Sequence, residues 1–154
     1  GERIWSEQVE PTLQEKRVSY QAYFSKKSGE VRQLAAQITK EHAAEADLKL
    51  IILGGDGTVN EALQGIADLS KVVLGYIPTG SSNDLARDLG ISKDPKSALD
   101  LILENTAPRA MDLGRLTYLD KDLPEESRLF AVSCGIGFDA AVCAEAMSSR
   151  IKDT

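Results

Sequence analysis

Histidine is almost missing from this chain. His42 is the single one among 154 residues, and cysteine occurs only at Cys134 and Cys143. A lone imidazole in a polar, alanine-rich stretch has no Ser-His-Asp motif around it, so a surface histidine is expected. Two thiols at this spacing match no zinc pattern and make no disulfide framework, so reduced, cytosolic thiols are expected. Aromatic residues make up only 5% of the chain, and no apolar run approaches the roughly 20 residues that span a bilayer. Positive charge is in deficit: 18 Lys and Arg stand against 24 Asp and Glu, a net charge of −6. That balance argues against a general nucleic-acid binder, which usually carries a basic face. The first residues are charged and polar, unlike a signal peptide. What remains is an ordinary globular composition, 42% hydrophobic and 27% charged, long enough for one domain with a real core.

The hydrophobic pattern alternates between helical and strand periods. Ile4, Trp5, Val9 and Leu13 form a helical stripe, which Pro11 is expected to kink or end early. Residues 18–24 alternate apolar and polar and are rich in Tyr and Phe, the pattern of a strand. Val31, Leu34, Ala35 and Ile38 repeat at helical spacing, predicting a helix to about Ala46. Residues 48–53 are apolar on both faces apart from Lys49, which suits a central parallel strand. A helix from about Thr58 to Asp68 follows, then a strand over 72–77 ended by Pro78. Residues 81–89 read as loop and helix, stopped by Gly90. Asp94 and Pro95 then open a helix as N-cap and first residue. This succession predicts an α/β fold with a parallel sheet over residues 1–108. Over 109–154 the texture changes to two strands, 109–119 and 128–134, joined by a polar loop at 120–127, as if a mostly antiparallel unit begins. The start at Gly1 and the stop at Thr154 fit no natural domain border, so a piece of a longer protein is expected.

Two loops carry the chemistry. Gly54-Gly55-Asp56-Gly57-Thr58-Val59-Asn60 follows the first apolar strand. Glycines let backbone N–H groups approach a phosphate, and the next helix adds its positive end. A carboxylate inside such a loop needs a cation or a hydroxyl between itself and the phosphate. Asp56 therefore suggests magnesium or a base near the transferred group. A tight strand-to-helix turn with Asp56 as cap explains the same residues equally well. No Gly-Lys-Ser/Thr follows, so it is not a Walker loop, and it lacks the dinucleotide fingerprint. The second loop, Pro78-Thr79-Gly80-Ser81-Ser82-Asn83-Asp84, also follows an apolar strand. In one parallel sheet both loops would reach the same edge, where α/β proteins bind ligands.

These two loops, with Met111-Asp112-Leu113-Gly114 and Cys134-Gly135-Ile136-Gly137-Phe138-Asp139-Ala140, resemble the catalytic domain of the diacylglycerol kinase family. That family includes bacterial lipid kinases, sphingosine kinases and ceramide kinases. The resemblance implies a three-layer α/β nucleotide-binding domain followed by the start of a β-sandwich-like lipid-binding domain. It implies ATP, Mg2+ and a diacylglycerol-like acceptor, with peripheral membrane contact from the cytoplasm. By the same resemblance Gly54, Gly55, Asp56, Gly57, Thr58, Val59 and Asn60 hold the nucleotide phosphates. Gly80, Ser81, Asn83 and Asp84 complete the second loop, with Ser81 in place of the usual threonine and Ser82 in place of the usual glycine. Ser25 takes the place of the family's Ser/Thr after its second strand. Asp56 is the catalytic candidate within the chain, and the family's usual glutamate base falls beyond it. Glu61 is expected to be a solvated first-turn helix residue. Two other readings are an NAD kinase-like enzyme, which shares the Gly-Gly-Asp-Gly-Thr loop, and a non-catalytic regulator that binds nucleotide or lipid. Exposed strand edges could pair two copies into a homodimer.

Overall fold

The computed structural model describes residues 1–104, 107–118 and 126–148. Its first helical run, α1, joins Glu2–Ile4, a π-helical Trp5–Val9 and Glu10–Glu15. Pro11 does not end it. Proline lacks an N–H and crowds the carbonyl one turn back, and the wider π turn just before it, closed by Glu10 N–H to Trp5 O, makes room for the ring.

Residues 18–24 form no strand, contrary to their alternation. A strand exists only against a neighbour, and no described residues offer this segment a ladder. Its aromatic side chains pack on α1 instead. Trp5 meets Tyr20 and Phe24 edge-on at 5.5 and 5.9 Å, and Tyr20 Oη donates to Glu10 Oε1 at 2.9 Å.

The elements that follow are α2 (Glu30–Glu41), β1 (Leu48–Gly54), α3 (Asp56–Gly65), a 3-10 turn (Leu69–Lys71), β2 (Val72–Pro78), α4 (Asp84–Leu89) and α5 (Pro95–Glu104). Helix α2 stops short of Ala46, and α3 starts two residues earlier than the apolar pattern suggests. Gly90, at φ +70°, ends α4 as the sequence implies. Asp94 caps α5, accepting from the Ser97 backbone N–H at 2.8 Å.

Strands β1 and β2 pair in parallel, with Leu48 opposite Val72 and Gly54 opposite Pro78. Alternation sorts their side chains into two cores. Ile52 and Tyr76 join Ala35, Val59, Ala62, Leu63, Leu85 and Ala86 on the face covered by α2, α3 and α4. Ile77 joins Val9, Leu13, Ala98 and Leu99 on the face covered by α1 and α5, with Ile51 and Leu53 packed alongside. Helix, sheet and helix thus make three layers, the α/β architecture expected.

Strands β3 (Gly114–Tyr118) and β4 (Glu126–Phe130) pair antiparallel, Gly114 opposite Phe130. The meander read from sequence is present, but β3 begins at Gly114 rather than Arg109, and β4 runs from Glu126 to Phe130 rather than from Arg128 to Cys134. Leu119, the end of the expected first strand, and residues 120–125 of the expected 120–127 loop lie outside the described residues. Leu113 and Ala131 pack against the core beside α3, so this hairpin is seated on the first unit. The last described element, α6 (Phe138–Ser148), begins in the Gly-Phe-Asp motif. Cys134 and Cys143 are unpaired and exposed.

Candidate functional site

Register brings the two loops together. Because Gly54 stands opposite Pro78, both strands end level and both loops leave the sheet side by side. Thr79 N–H donates to Gly54 O at 2.7 Å, one rung beyond the ladder. Past that rung the backbones touch. A Cβ on Gly80 would sit 2.6 Å from Gly55 Cα, and one on Gly55 would sit 3.1 Å from Gly80 Cα. Position 80 has no room for a side chain, and position 55 would take one only if the facing backbone gave way by a few tenths of an ångström.

Asp56, the first residue of α3, reaches across to α4. Its Oδ2 accepts from Asp84 N–H at 2.9 Å and its Oδ1 from Leu85 N–H at 3.1 Å. The carboxylate therefore caps a helix, and the helix is the one in the second loop rather than its own. The turn itself is stitched by Asn83, 5% exposed and left-handed at φ +52°. Asn83 Oδ1 accepts from Gly80 N–H at 2.9 Å, and its Nδ2 donates to Gly80 O at 2.7 Å. Tyr76 Oη donates to the same Oδ1 at 3.3 Å. Burial, with the Asp56 charge adding to it, pushes the Tyr76 phenol up to about 12, so it stays a protonated donor.

A cavity of about 350 Å³ opens beside these loops. Asp56, Gly57, Val59, Asn60, Asp84 and Leu85 line one side, and residues 130–133 line the other. Gly57 is the informative member. Of the chain's twelve glycines, Gly29, Gly90 and Gly137 have positive φ, and seven others would drive a Cβ within 3.1 Å of a neighbouring atom. Only Gly57 and the terminal Gly1 have neither reason. The fold does not require a glycine at position 57, yet that position faces the cavity at the start of a ten-residue helix. A glycine there leaves the backbone N–H groups at the helix start open to close approach from the cavity.

The remaining expected site residues divide. Asp56, Gly57, Val59, Asn60 and Asp84 line the cavity. Thr58 folds back over Gly54, where a Cβ would meet Oγ1, and Gly54, Gly55, Gly80 and Asn83 build the loops behind the lining. Ser81 and Ser82 are exposed at the turn. Ser82 fits without strain because the left-handed residue is Asn83. Ser25 is exposed and outside the cavity lining. Glu61 is not the solvated residue that its place on α3 suggests. It is half-buried, and its Oε1 accepts from Gly29 N–H at 2.9 Å and Ser28 Oγ at 3.2 Å. It thereby holds the segment that enters α2. The cavity wall at Phe130, Ala131, Val132 and Ser133 was unreadable as a wall, because it continues an apolar run that reads as strand. No group of three or more His, Cys, Asp or Glu that could hold a metal occurs among the described residues. No helix among them is long and apolar enough to cross a membrane.

Comparison with known proteins gives a consistent result. The family model described as the diacylglycerol kinase catalytic domain matches residues 1–116. YtlR of Bacillus subtilis (strain 168), a protein named among the lipid kinases, is 32% identical over 160 residues, covering 99% of this chain and 48% of YtlR. The diacylglycerol kinase of the same strain is 37% identical over 108 residues, covering 60% of this chain and 35% of that enzyme. Among solved structures, a diacylglycerol kinase from Bacillus anthracis str. Sterne superposes with a TM-score of 0.57 at 28% identity, over 75% of this chain and 38% of that one. The chain thus spans about half or less of the length of these relatives.

Proposed function

The chain belongs to the diacylglycerol kinase catalytic-domain family, and from that premise we propose that it forms the nucleotide-binding part of an ATP-dependent lipid kinase. The reaction is transfer of the γ-phosphate to the hydroxyl of diacylglycerol or a related lipid. The observation that carries this reading is Gly57, a glycine that the fold does not need, at the cavity end of α3. Phosphoryl transfer depends mainly on positioning and on neutralising charge, and the residues suit the first task. The α3 N-terminus presents N–H groups and a positive dipole end to phosphate. Asn60 offers an amide at the cavity. The Gly55–Gly80 contact and the Asp56 cap hold both loops as one rigid edge.

The donor set fits magnesium carried largely by phosphate and water rather than by a protein cage. Asp56 and Asp84 are the carboxylates at the cavity. Asp84 is also paired with Arg87 at 2.7 Å, and each Asp56 oxygen already accepts one N–H. When bound, the ion would neutralise charge on the transferred group. Asp56 stays the candidate for orienting the acceptor hydroxyl. Its two caps fix the carboxylate plane, and each oxygen keeps a further lone pair. The lining at Phe130, Ala131 and Val132 is apolar, with Val132 exposed, which suits a lipid acceptor on that side, and contact with a membrane surface would be peripheral.

The test is turnover by the full-length protein with ATP, magnesium and separate lipids: diacylglycerol, sphingoid base and ceramide. Formation of one phosphorylated lipid is expected. Folded protein that phosphorylates none of them, or that phosphorylates NAD instead, would overturn the reading.

A further inference from the structure

Gln64 lies two turns into α3 from Asp56, away from the phosphate loop, yet it joins the two walls of the cavity. Its Nε2 donates to Leu129 O at 2.9 Å, and its Oε1 accepts from Leu129 N–H at 3.0 Å. Alternate residues of an antiparallel strand turn both backbone groups away from their partner strand. Leu129 is such a residue, and Gln64 closes its outer side as a neighbouring strand would. The same Nε2 lies 3.0 Å from Asn60 O and 3.2 Å from Asn60 Oδ1. Asn60 lines one side of the cavity, and the residue after Leu129 begins the other. One amide therefore links the nucleotide side to the opposite wall through hydrogen bonds that span 65 positions of sequence.

We propose that Gln64 is a positioning residue that couples nucleotide occupancy at α3 to the placement of the 130–133 wall. The inference rests on the proposed nucleotide site and adds a specific device to it. Phosphoryl acceptors must be aligned within a fraction of an ångström, so a wall fastened to the phosphate-bearing helix keeps acceptor and donor in register. A change at Asn60 on nucleotide binding passes to Leu129 through the shared amide. An apolar side chain of equal length would leave both walls present but uncoupled.

Amide hydrogen exchange on the full-length protein with and without magnesium-ATP tests this. In the unsubstituted protein, nucleotide is expected to protect residues 55–60 and also residues 129–133. In Gln64→Met, protection at 55–60 should persist while the response at 129–133 disappears. Leu129 itself should exchange at least about tenfold faster even without nucleotide, because its N–H has lost its acceptor. Gln64→Glu, which keeps an acceptor but loses the donor, should keep Leu129 protected and lose most of the nucleotide response. In the full-length protein, Gln64→Met should lower kcat for the lipid about tenfold or more with KM for ATP unchanged. An unchanged response at 129–133 in Gln64→Met, or unchanged lipid turnover, overturns the proposal. If nucleotide fails to protect 55–60 in the unsubstituted full-length protein, it is the nucleotide reading that falls. Leu129 exchange without ligand then separately decides whether the clamp exists.

Discussion

The two glycine loops leave one sheet edge side by side and are built in opposite ways. The loop at 78–84 is bonded to itself: Asn83 holds Gly80 from both sides and takes the Tyr76 hydroxyl. The loop at 54–60 makes no comparable side-chain stitches of its own. Its carboxylate, Asp56, is spent on the other loop's helix, and its third glycine faces a cavity with space around it. The second loop is scaffold, and the first is the one whose backbone opens on the cavity. A motif match weights the two equally, whereas the hydrogen bonds distinguish them.

Substitutions can break or sharpen that contrast. Gly80→Ala should have the largest effect, because its Cβ would sit 2.6 Å from Gly55 Cα and backbone cannot step aside. A loss of about 3 kcal/mol is expected from such overpacking, measured as a lower urea midpoint with unchanged slope. Asp56→Asn comes next. An amide can accept from only one of the two helix N–H groups, so the other loses its partner. Destabilisation of about 2 kcal/mol is expected, and urea unfolding again measures it. An Asp56→Asn chain as stable as the original would return Asp56 to a purely chemical role.

Gly57→Ala should separate folding from binding. Alanine is the better helix former by up to about 1 kcal/mol, and its Cβ meets nothing, so the melting temperature should hold or rise. Nucleotide affinity should nevertheless fall about tenfold, or 1.4 kcal/mol, by calorimetric titration with magnesium-ATP. Equal losses in both would make the first loop scaffold as well. Tyr76→Phe is the smallest change, about 0.5–1 kcal/mol for one long hydrogen bond. Its signature is in pH. Burial, with the Asp56 charge, pushes the folded phenol up to about 12 from its ordinary value of 10.0, so the native state keeps a proton that the unfolded chain gives up. That stability is whole below pH 10 and drains away as pH climbs toward 12. Denaturation at pH 9 and 11.5 should show the loss in the original chain and a smaller one in Tyr76→Phe.

The sheet, its flanking helices and the edge where the loops meet were legible because each depends on local periodicity. The Asp94 cap and the Gly90 stop were legible for the same reason. Residues 18–24 were not, because alternation shows that a segment can pair but says nothing about whether a neighbour is beside it. Glu61 and Gln64 sit on the polar side of α3, where a helical wheel reads solvent. Their partners, Gly29 and Leu129, lie 32 and 65 positions away, and only the folded chain brings those backbones within reach. The same distance in sequence concealed the far wall of the cavity.

The contact between Gly55 and Gly80 also constrains how this edge can vary. The two positions share one gap, so their mutational effects cannot be independent. Once alanine at either has forced the backbones apart, alanine at the other meets a gap already widened, and the pair should lose less than the sum of the singles. The route to any side chain at one position therefore passes through a state in which the other is still glycine and the clash is at its worst. Epistasis of this kind would hold both glycines in place even where neither one touches a ligand.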